Sequence, residues 1–374
     1  MAFWSDAVNT RLLAACSPGE VRVAVSDGVL LDYALHRPGE PDGVGDLHVG
    51  RVTAHLGAMG GAFVQIGAAS GFLPDSEGTT SEGDLVAVRV IRAAQGGKGP
   101  RLSSRLDDAE RERVALHGMA EGLVARGPDP MRRLAASWPD ATLACDDAAI
   151  AAILQADCGR PVQVVARAFD DPLESEIESL AQSELALPGG LRASIHPTPA
   201  LVAIDVDMAA ASAERRPKQV AQFAGNRAAI PALLHQVRLR NLSGAILIDL
   251  AGLSTRKRRA LAPTIEAALA RDPLRPRLLG FTALGLAEIL RPRVHPALHE
   301  LLQTPLGAGL AGLRAALSAH QPGQRPILRA GIAVATALRA DTRALAAFAQ
   351  AAAAPISLRM EPTLPALCWT IDHE

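Results

Sequence analysis

Alternation of apolar and polar residues with a period of two dominates the first third of the chain. Residues 20–36, EVRVAVSDGVLLDYALH, alternate around an Asp27-Gly28 turn, and this pattern predicts a β-hairpin. Short segments with the same period follow between Gly45 and Leu106, and they read LHVGRVTAHL, GAFVQIG, GFLPD, DLVAVRVIRAA and PRLSSRL. These five segments predict a small closed barrel, of which the OB fold is the commonest nucleic-acid-binding type.

Helical patterns follow the barrel. Residues 107–124, DDAERERVALHGMAEGLV, have a helical character, and residues 141–168 predict a strand, a helix and a second strand in turn. Residues 173–187, LESEIESLAQSELAL, predict a helix that ends at the Pro188-Gly189-Gly190 turn. From that turn onward the pattern is that of an α/β protein.

Apolar strands alternate with helices after residue 200. ALVAIDVD and SGAILIDL predict two strands, and helices are expected at Gln219–Val237 and at roughly Thr255–Ala270. A continuous apolar strand between helices indicates a sheet that is covered on both faces.

A smaller alternating unit follows a glycine-rich link after Leu302. Its pattern predicts a helix at LAGLRAALSAH, a strand at PILRAG, helices between Val334 and Ala352, and closing strands at ISLRMEP and LCWTID. Asp341 is expected to cap the helix that Pro355 ends.

Length and composition indicate a folded protein with several domains. The 374 residues are enough for two or three compact units, and 49% apolar with 21% charged residues is typical of globular proteins. Charge-free stretches are shorter than the roughly 20 apolar residues of a membrane span. The N-terminus lacks the pattern of a secretory signal, so we expect a cytoplasmic protein without a membrane partner. The four cysteines are scattered without CxxC spacing, which favours reduced buried thiols.

Charge is distributed unevenly along the chain. The net charge of −1 gives no indication of a nucleic-acid partner, but residues 201–300 hold 15 Lys and Arg against 8 Asp and Glu. One segment is therefore basic, and it is the segment with the two apolar strands.

Carboxylates end both of these strands. Asp205 closes the apolar run LVAI, Asp249 closes AILI, and the period of two puts Asp207 on the same face as Asp205. A carboxylate is costly to bury unpaired, so these side chains are expected where strand ends meet solvent, a cation or a ligand. If the two strands are neighbours, the carboxylates converge into a set of hard oxygen ligands that suits Mg²⁺. The alternative is that Asp205 and Asp249 merely cap helices or turns.

Arginines accompany these carboxylates in the sequence. They are Arg238 and Arg240, the STRKRRA run from Arg256 to Arg259, and Arg291 with Arg293. Arginine binds phosphate bidentately, so a basic rim around acidic metal ligands is what cleavage of a polyanion requires. A solvated helix face is the alternative reading of the STRKRRA run.

The predicted barrel carries candidate RNA-binding residues. Phe63 and Phe72 are conspicuous in a chain with 3% aromatic residues, and Lys98 and Arg101 follow in GGKGPRLSS. Aromatic side chains on a barrel face stack on bases while nearby cations bind the backbone. Each phenylalanine alone is also compatible with a place in the core.

These motifs together resemble the ribonuclease E/G family of bacterial endoribonucleases. The matching segments are RPGEPDGVGDLHVGRV, GAFVQIG with GFLPD, GGKGPRL, IESLAQSELALPGG, ALVAIDVD, QVRLRNLSGAILIDL and ALGLAEILRPRVHPAL. They occur in the family's order and cover most of residues 20–300. The ending ISLRMEP and WTID also resembles the small domain that closes these enzymes.

The resemblance implies an α/β (α+β) multidomain architecture. An RNase H-like unit (1–36 plus 141–187) would be interrupted by an OB-fold RNA-binding barrel (37–106) and a reduced 5′-sensor region (107–140). A DNase I-like catalytic α/β domain (188–302) and a small C-terminal α/β domain (303–374) would follow.

The resemblance also implies roles for individual residues. Asp205 and Asp249 would bind the catalytic Mg²⁺, with Asp207 at the position of a family asparagine. Phe63, Phe72 and Lys98 would contact RNA near the cut. Members of the family cleave single-stranded RNA and leave a 5′-phosphate and a 3′-hydroxyl.

Departures from the family pattern modify these expectations. The family's Ser-Arg-Phe-Gly-Leu is Thr282-Ala283-Leu284-Gly285-Leu286 here, so an arginine expected near the scissile phosphate is missing. No Arg-Thr-Ala segment of a 5′-monophosphate pocket is present. The paired cysteines of the family's zinc link are absent after Leu298, which leaves a zinc-free homodimer open.

The leading hypothesis is a Mg²⁺-dependent endoribonuclease with water as the nucleophile. The alternative is an RNA-binding protein on the same scaffold whose catalysis is weakened. A scaffold that works through protein contacts is a third reading, and it predicts RNA affinity that depends little on salt.

Overall fold

A computed structural model describes residues 9–208, 218–250, 252–321, 323 and 325–373 of a mixed α/β chain. The chain divides into two compact units, of which the first comprises Met1–Glu174 with His299–Glu374 and the second comprises Ser175–Leu298. The strands are β1 (Arg11–Ser17), β2 (Glu20–Ser26), β3 (Leu30–His36), β4 (Leu47–Leu56), β5 (Gly61–Ile66), β6 (Ala69–Pro74), β7 (Leu85–Arg92), β8 (Arg101–Ser103), β9 (Gly122–Ala125), β10 (Thr142–Cys145), β11 (Val162–Val164), β12 (Glu184–Leu187), β13 (Leu191–Pro197), β14 (Val202–Met208), β15 (Gly244–Asp249), β16 (Arg277–Phe281), β17 (Ala287–Arg291), β18 (Pro326–Ala330), β19 (Ser357–Met360) and β20 (Trp369–His373).

Eleven α-helices lie in the described ranges, and all of them follow β8 in the chain. They are α1 (Asp108–His117), α2 (Pro130–Ser137), α3 (Ala148–Cys158), α4 (Asp171–Ser179), α5 (Lys218–Leu239), α6 (Thr255–Arg259), α7 (Ala262–Leu269), α8 (Leu298–Leu302), α9 (Pro305–Ala319), α10 (Ile332–Ala340) and α11 (Thr342–Ala351). Short 3-10 helices occupy Gly57–Met59 and Asp75–Glu77. Across the described ranges, no helix combines the length and the apolar character that a membrane crossing requires.

The first sheet has the strand order β11-β10-β1-β2-β3. β2 and β3 form the predicted hairpin, and Gly28 in its turn has φ +102°, a conformation that favours glycine. β1 was not predicted, yet it lies in the middle of the sheet, antiparallel to β2 and parallel to β10. Its apolar residues Leu12 and Ala14 pack in one core with Leu143, which explains the central position. The predicted strand, helix and strand of residues 141–168 are confirmed as β10, α3 and β11.

The predicted barrel of five strands is confirmed and is consistent with an OB fold. β4 pairs with both β5 and β7, which closes the ring β4-β5-β6-β8-β7. The inward-facing residues Val52, Val64 and Leu102 form its core. Gly71 permits this packing because a Cβ at that position would lie 2.7 Å from the Leu102 side chain.

The helix predicted over residues 107–124 is shorter in the structure. α1 ends at His117 because Gly118 takes the left-handed conformation (φ +75°) that terminates helices. The apolar segment that follows forms β9, which pairs with β4 and adds a sixth strand to the barrel sheet.

The sheet of the second unit has the strand order β12-β13-β14-β15-β17-β16, and β14 and β15 form its parallel pair. The helix predicted over residues 173–187 was wrong in its last part, since α4 ends at Ser179 and Glu184–Leu187 forms β12. Gly189 and Gly190 both have positive φ, and they turn the chain into an antiparallel pair of β12 with β13. The short alternation of apolar and polar residues in β12 forms a strand because the tight turn places β13 beside it as a pairing partner.

Helices cover one face of this sheet. Ile204 and Ile246 pack in one core with Leu233 of α5 and Ile265 of α7. Alternate residues of the same strands, such as Leu247, are exposed or half-buried on the opposite face. The prediction of a sheet covered on both faces was therefore wrong, because apolar side chains on the open face made β15 look continuously buried.

The C-terminal strands form a sheet in the order β19-β18-β20, packed with α9, α10 and α11. The predicted glycine-rich link is largely helical, since α9 begins at Pro305 with Thr304 as its cap. Gly309 allows close packing, because a Cβ there would lie 2.6 Å from Leu338. The predicted cap is confirmed: the Asp341 carboxylate accepts a hydrogen bond from the Ala344 backbone N–H at 3.0 Å.

Candidate metal and RNA sites

The parallel pairing of β14 with β15 brings two aspartates side by side. In the register of this pair, Asp205 lies directly opposite Asp249. Asp249 ends β15, whereas Asp205 lies in the middle of β14 and reaches solvent on the face that the helices leave open, so the expectation that both aspartates end their strands holds only for Asp249. The predicted convergence of Asp205 and Asp249 is thus what the strand register produces.

Asp207 completes a cluster of negative charge. Asp205 and Asp207 are both exposed on the face that the helices leave open. Partial desolvation and the charges of Asp207 and Asp249 raise the pKa of Asp205 above its ordinary value. Repulsion of this kind is relieved by a bound cation, so the cluster has the electrostatic character of a cation site.

Arg258 of α6 is attached to this cluster. Its Nη1 atom donates to Asp249 Oδ1 at 2.5 Å and to the Gly285 carbonyl at 3.3 Å, while Nε donates to the Leu253 carbonyl at 2.9 Å. The guanidinium group therefore fixes one carboxylate oxygen of Asp249 against the segment that contains Ala283. Charge alone marked the STRKRRA run in the sequence, and it gave no indication of which arginine turns inward.

The aspartates supply donors that suit a hard divalent cation. Asp205 is exposed, and Asp249 Oδ2 accepts no hydrogen bond from any residue in the described ranges. The three aspartates do not each bring an oxygen within 4.8 Å of the others. Asp205 and Asp249 therefore fit as a pair that holds one cation, with water and substrate oxygens completing its coordination.

Three residues of β13 share the open face with the aspartates and were missed in the sequence. Arg192 lies directly opposite Asp207 in the antiparallel register, and Ser194 lies opposite Asp205. His196 is close enough for its charge to lower the pKa of Asp205 in opposition to the carboxylates. The alternation in LRASIHP was the available signal, but its strand partner was not known.

Arg240 was predicted to contact RNA, and the structure corrects this prediction. The residue is 4% exposed, and its Nη2 atom donates to the carbonyls of Ser179 and Gln182 at 3.1 and 3.2 Å. Burial lowers the pKa of Arg240 to about 10. Arg240 thus stabilises the chain around the end of α4 instead of lining a basic rim.

Arg291 is corrected in the same way. It is 3% exposed, with Nε donating to Asp272 Oδ2 at 2.7 Å and Nη1 donating to Asn241 Oδ1 at 2.7 Å and to the Leu242 carbonyl at 3.1 Å. A buried arginine needs such partners. These hydrogen bonds hold the Arg291 side chain inside the protein and away from the surface where RNA would bind. Arg238 is half-buried and Arg256 is exposed, so the predicted rim is kept only in part.

The barrel residues form a group on its outer surface. Phe63 and Phe72 are opposite each other in β5 and β6, with ring centroids 5.8 Å apart in an edge-to-face arrangement. Both are half-buried between neighbours that point into the core, and the guanidinium carbon of Arg101 lies 5.9 Å from the Phe72 ring centroid. Lys98 is exposed in the turn that precedes β8. Aromatic faces beside cations are the chemistry that binds single-stranded nucleic acid.

Comparison with known proteins gives similarities that cover this part of the chain. Residues 163–294, which contain Asp205, Asp207 and Asp249, match the Ribonuclease E/G family. The chain is 25% identical to Ribonuclease G of Escherichia coli (strain K12) over 403 residues, an alignment that covers 79% of this chain and 82% of that protein. It is 36% identical to Ribonuclease E of the same organism over 129 residues, which are 34% of this chain and 12% of that protein. Ribonuclease E of Haemophilus influenzae is 33% identical over 129 residues, 34% of this chain and 14% of that protein.

Proposed function

The chain belongs to the ribonuclease E/G family, and on that premise we propose that it is an endoribonuclease that acts on single-stranded RNA. Its cofactor is Mg²⁺, and its products carry a 5′-phosphate and a 3′-hydroxyl. The observation that carries this proposal is the register of β14 with β15, which sets Asp205 beside Asp249 on the two central strands of the sheet.

Asp205 and Asp249 are the residues that would hold the cation. When bound, Mg²⁺ would neutralise charge that develops on the scissile phosphodiester and favour ionisation of the attacking water. Asp207, two residues further along the same strand face, would add negative charge that attracts the cation to Asp205. Arg258 orients Asp249 and brings a guanidinium group to the edge of the site, in a chain whose Ala283 removes the family arginine.

Each unit carries candidate substrate-binding residues. Arg192, exposed on the open face, is available to a phosphate of the RNA backbone. Phe63 and Phe72 would stack on bases, and Lys98 and Arg101 would bind neighbouring phosphates. We assign the sheet that carries Asp205 to the DNase I-like catalytic domain that the family resemblance implies.

A second candidate is an RNA-binding protein with weakened catalysis. The pairing of Asp249 with Arg258 favours it, because one carboxylate oxygen already has a cationic partner. Retention of both Asp205 and Asp249 favours the active enzyme, since uncompensated carboxylates repel RNA and a purely binding surface gains nothing from them.

The two candidates are distinguished by cleavage of a labelled single-stranded A/U-rich RNA with and without Mg²⁺. Asp205→Asn and Asp249→Asn should each reduce metal-dependent cleavage by at least about a hundredfold, the loss typical of removing one preorganised electrostatic contact. Asp108→Asn, which changes an exposed carboxylate of α1, is the control and should cleave normally.

Binding is measured on the same variants. Tight, salt-sensitive binding with no metal-dependent cleavage by the unmodified chain supports the binding protein and removes the enzyme proposal. Cleavage that persists in both aspartate variants shows that the cation is held elsewhere.

A further inference from the structure

Two cysteines and an aspartate converge where the neighbouring interior strands β1 and β10 of the first sheet end. Cys16 Sγ and Cys145 Sγ are 3.6 Å apart, and the Cys16 backbone N–H donates to Asp146 Oδ1 at 2.7 Å. Among all His, Cys, Asp and Glu side chains in the described ranges, these three form the group whose ligand atoms lie within 4.8 Å of one another. The feature is separate from the cluster around Asp205.

Chain topology explains why the sequence does not reveal this group. β1 and β10 are parallel neighbours with Ala14 opposite Cys145, and the Asp146 backbone N–H donates to the Ala14 carbonyl at 3.3 Å. The two strands therefore end together although Cys16 and Cys145 are 129 positions apart. A metal site assembled from distant strands has no CxxC spacing to recognise.

Backbone donors fix the Asp146 carboxylate. Besides the bond from Cys16 to Oδ1, the Ala168 backbone N–H donates to Oδ2 at 3.4 Å. Cys145 is buried, whereas Cys16 and Asp146 are half-buried and open an approach from solvent. Ligands oriented by hydrogen bonds and reachable from one side are typical of metal sites.

Negative charge surrounds the two thiols. Asp146 and Asp147 follow Cys145 directly in the chain, and the Asp146 carboxylate accepts a hydrogen bond from the Cys16 backbone N–H. Reactive and redox-active cysteines are found beside cations, where the thiolate is stabilised. An acidic environment instead attracts a cation, so metal binding is favoured over nucleophilic chemistry.

We propose that Cys16, Cys145 and Asp146 bind one thiophilic divalent cation of the zinc type, with water as the fourth ligand. Tetrahedral zinc with bonds of about 2.3 Å to sulfur separates two thiolates by about 3.8 Å, close to the arrangement present here. Binding displaces the thiol protons into solvent, so affinity rises with pH.

The proposed cation would connect β1 to β10. Between these strands the chain runs through the whole barrel, so the cation closes a very long loop and restricts the unfolded state. Its effect would be structural, and it adds a soft-ligand site to a chain whose other candidate site offers oxygen ligands only.

The test uses the full-length reduced protein with Co²⁺ and Zn²⁺ as probes. We expect one equivalent of Co²⁺ to give thiolate-to-metal charge-transfer absorption that Zn²⁺ displaces, and Zn²⁺ to raise the melting temperature. Cys16→Ser and Cys145→Ser should each lower affinity by at least about a hundredfold. Cys158→Ser and Cys368→Ser are the matched controls, because these free cysteines lie elsewhere and should leave binding unchanged.

A measurement on the unmodified chain covers the case in which a serine variant fails to fold. Zn²⁺ should protect the half-buried Cys16 from alkylation and leave the exposed Cys368 reactive. The proposal is overturned if neither metal binds at micromolar concentration, or if both serine variants bind as the controls do. It is also overturned if mild oxidation joins Cys16 to Cys145 while Zn²⁺ changes neither alkylation nor melting.

Discussion

The sheet of the second unit and the barrel of the first place their chemistry in different ways. In the sheet, the register of two parallel strands aligns Asp205, in the middle of β14, with Asp249 at the end of β15. In the barrel, alternation along antiparallel strands sends Phe63 and Phe72 outward from the middle of β5 and β6. An open sheet face exposes charges that would be costly to bury, whereas the outward face of the barrel displays flat apolar surface. One region thus resembles a site for a cation, and the other a platform for bases.

The largest difference is expected between arginines of the two regions. Arg291→Met should lower the free energy of unfolding by about 3–5 kcal/mol, because it leaves the Asp272 carboxylate buried without its partner. Arg101→Met on the barrel should cost less than about 1 kcal/mol, since its contact with Phe72 is partly exposed. Chemical denaturation measures both, and equal losses would remove the distinction between a structural and a surface arginine.

The barrel aromatics should affect binding rather than chemistry. Phe63→Ala and Phe72→Ala are each expected to weaken single-stranded RNA binding by about 1–3 kcal/mol, with cleavage at saturating RNA unchanged. Leu116→Ala, at an exposed apolar position of the same unit, is the control and should bind normally. Fluorescence anisotropy and single-turnover cleavage separate the two effects, and a loss confined to cleavage would contradict the proposed base platform.

Arg258 should affect chemistry rather than binding. Arg258→Gln removes the guanidinium group that is hydrogen-bonded to Asp249. Cleavage should therefore fall by about tenfold or more, while RNA affinity changes little. Arg256→Gln, on the exposed side of α6, is the matched control. If Arg258→Gln instead cleaves faster, Arg258 competes with the cation and the weakened-enzyme reading gains support.

The smallest expected effect is a pH dependence of the free energy of unfolding of the first unit, which contains the barrel. Burial lowers the pKa of His48 and of His36 below the ordinary value of about 6.5. Below that pH the unfolded chain takes up protons before the folded chain does, so stability falls on acidification and is unaffected well above it. Hydrogen exchange of barrel amides between pH 7.5 and 5.5 measures this, and His48→Gln should flatten the profile. An unchanged profile in that variant would assign the effect to other groups.

Sequence patterns predicted elements wherever local alternation decides structure. The barrel strands and the β2 and β3 hairpin are such cases, and the carboxylates of Asp205 and Asp249 were located because they interrupt apolar runs. β12 was missed because its partner is created by a turn that the pattern assigned to a helix end. Local sequence also does not show whether an arginine is buried. Arg240 and Arg256 both lie in basic segments, and tertiary packing buries Arg240 and leaves Arg256 exposed.

The insertion of the barrel between β3 and β10 has a consequence for biosynthesis. The barrel strands are nearly contiguous in sequence, so the barrel can close during synthesis of the chain. The sheet of β1 is complete only after β10 has been synthesised. The buried carboxylate of Glu20 is paired with Arg314, which is synthesised later than β10. β1 and Glu20 therefore reach their final partners only after segments far downstream in the chain have been synthesised.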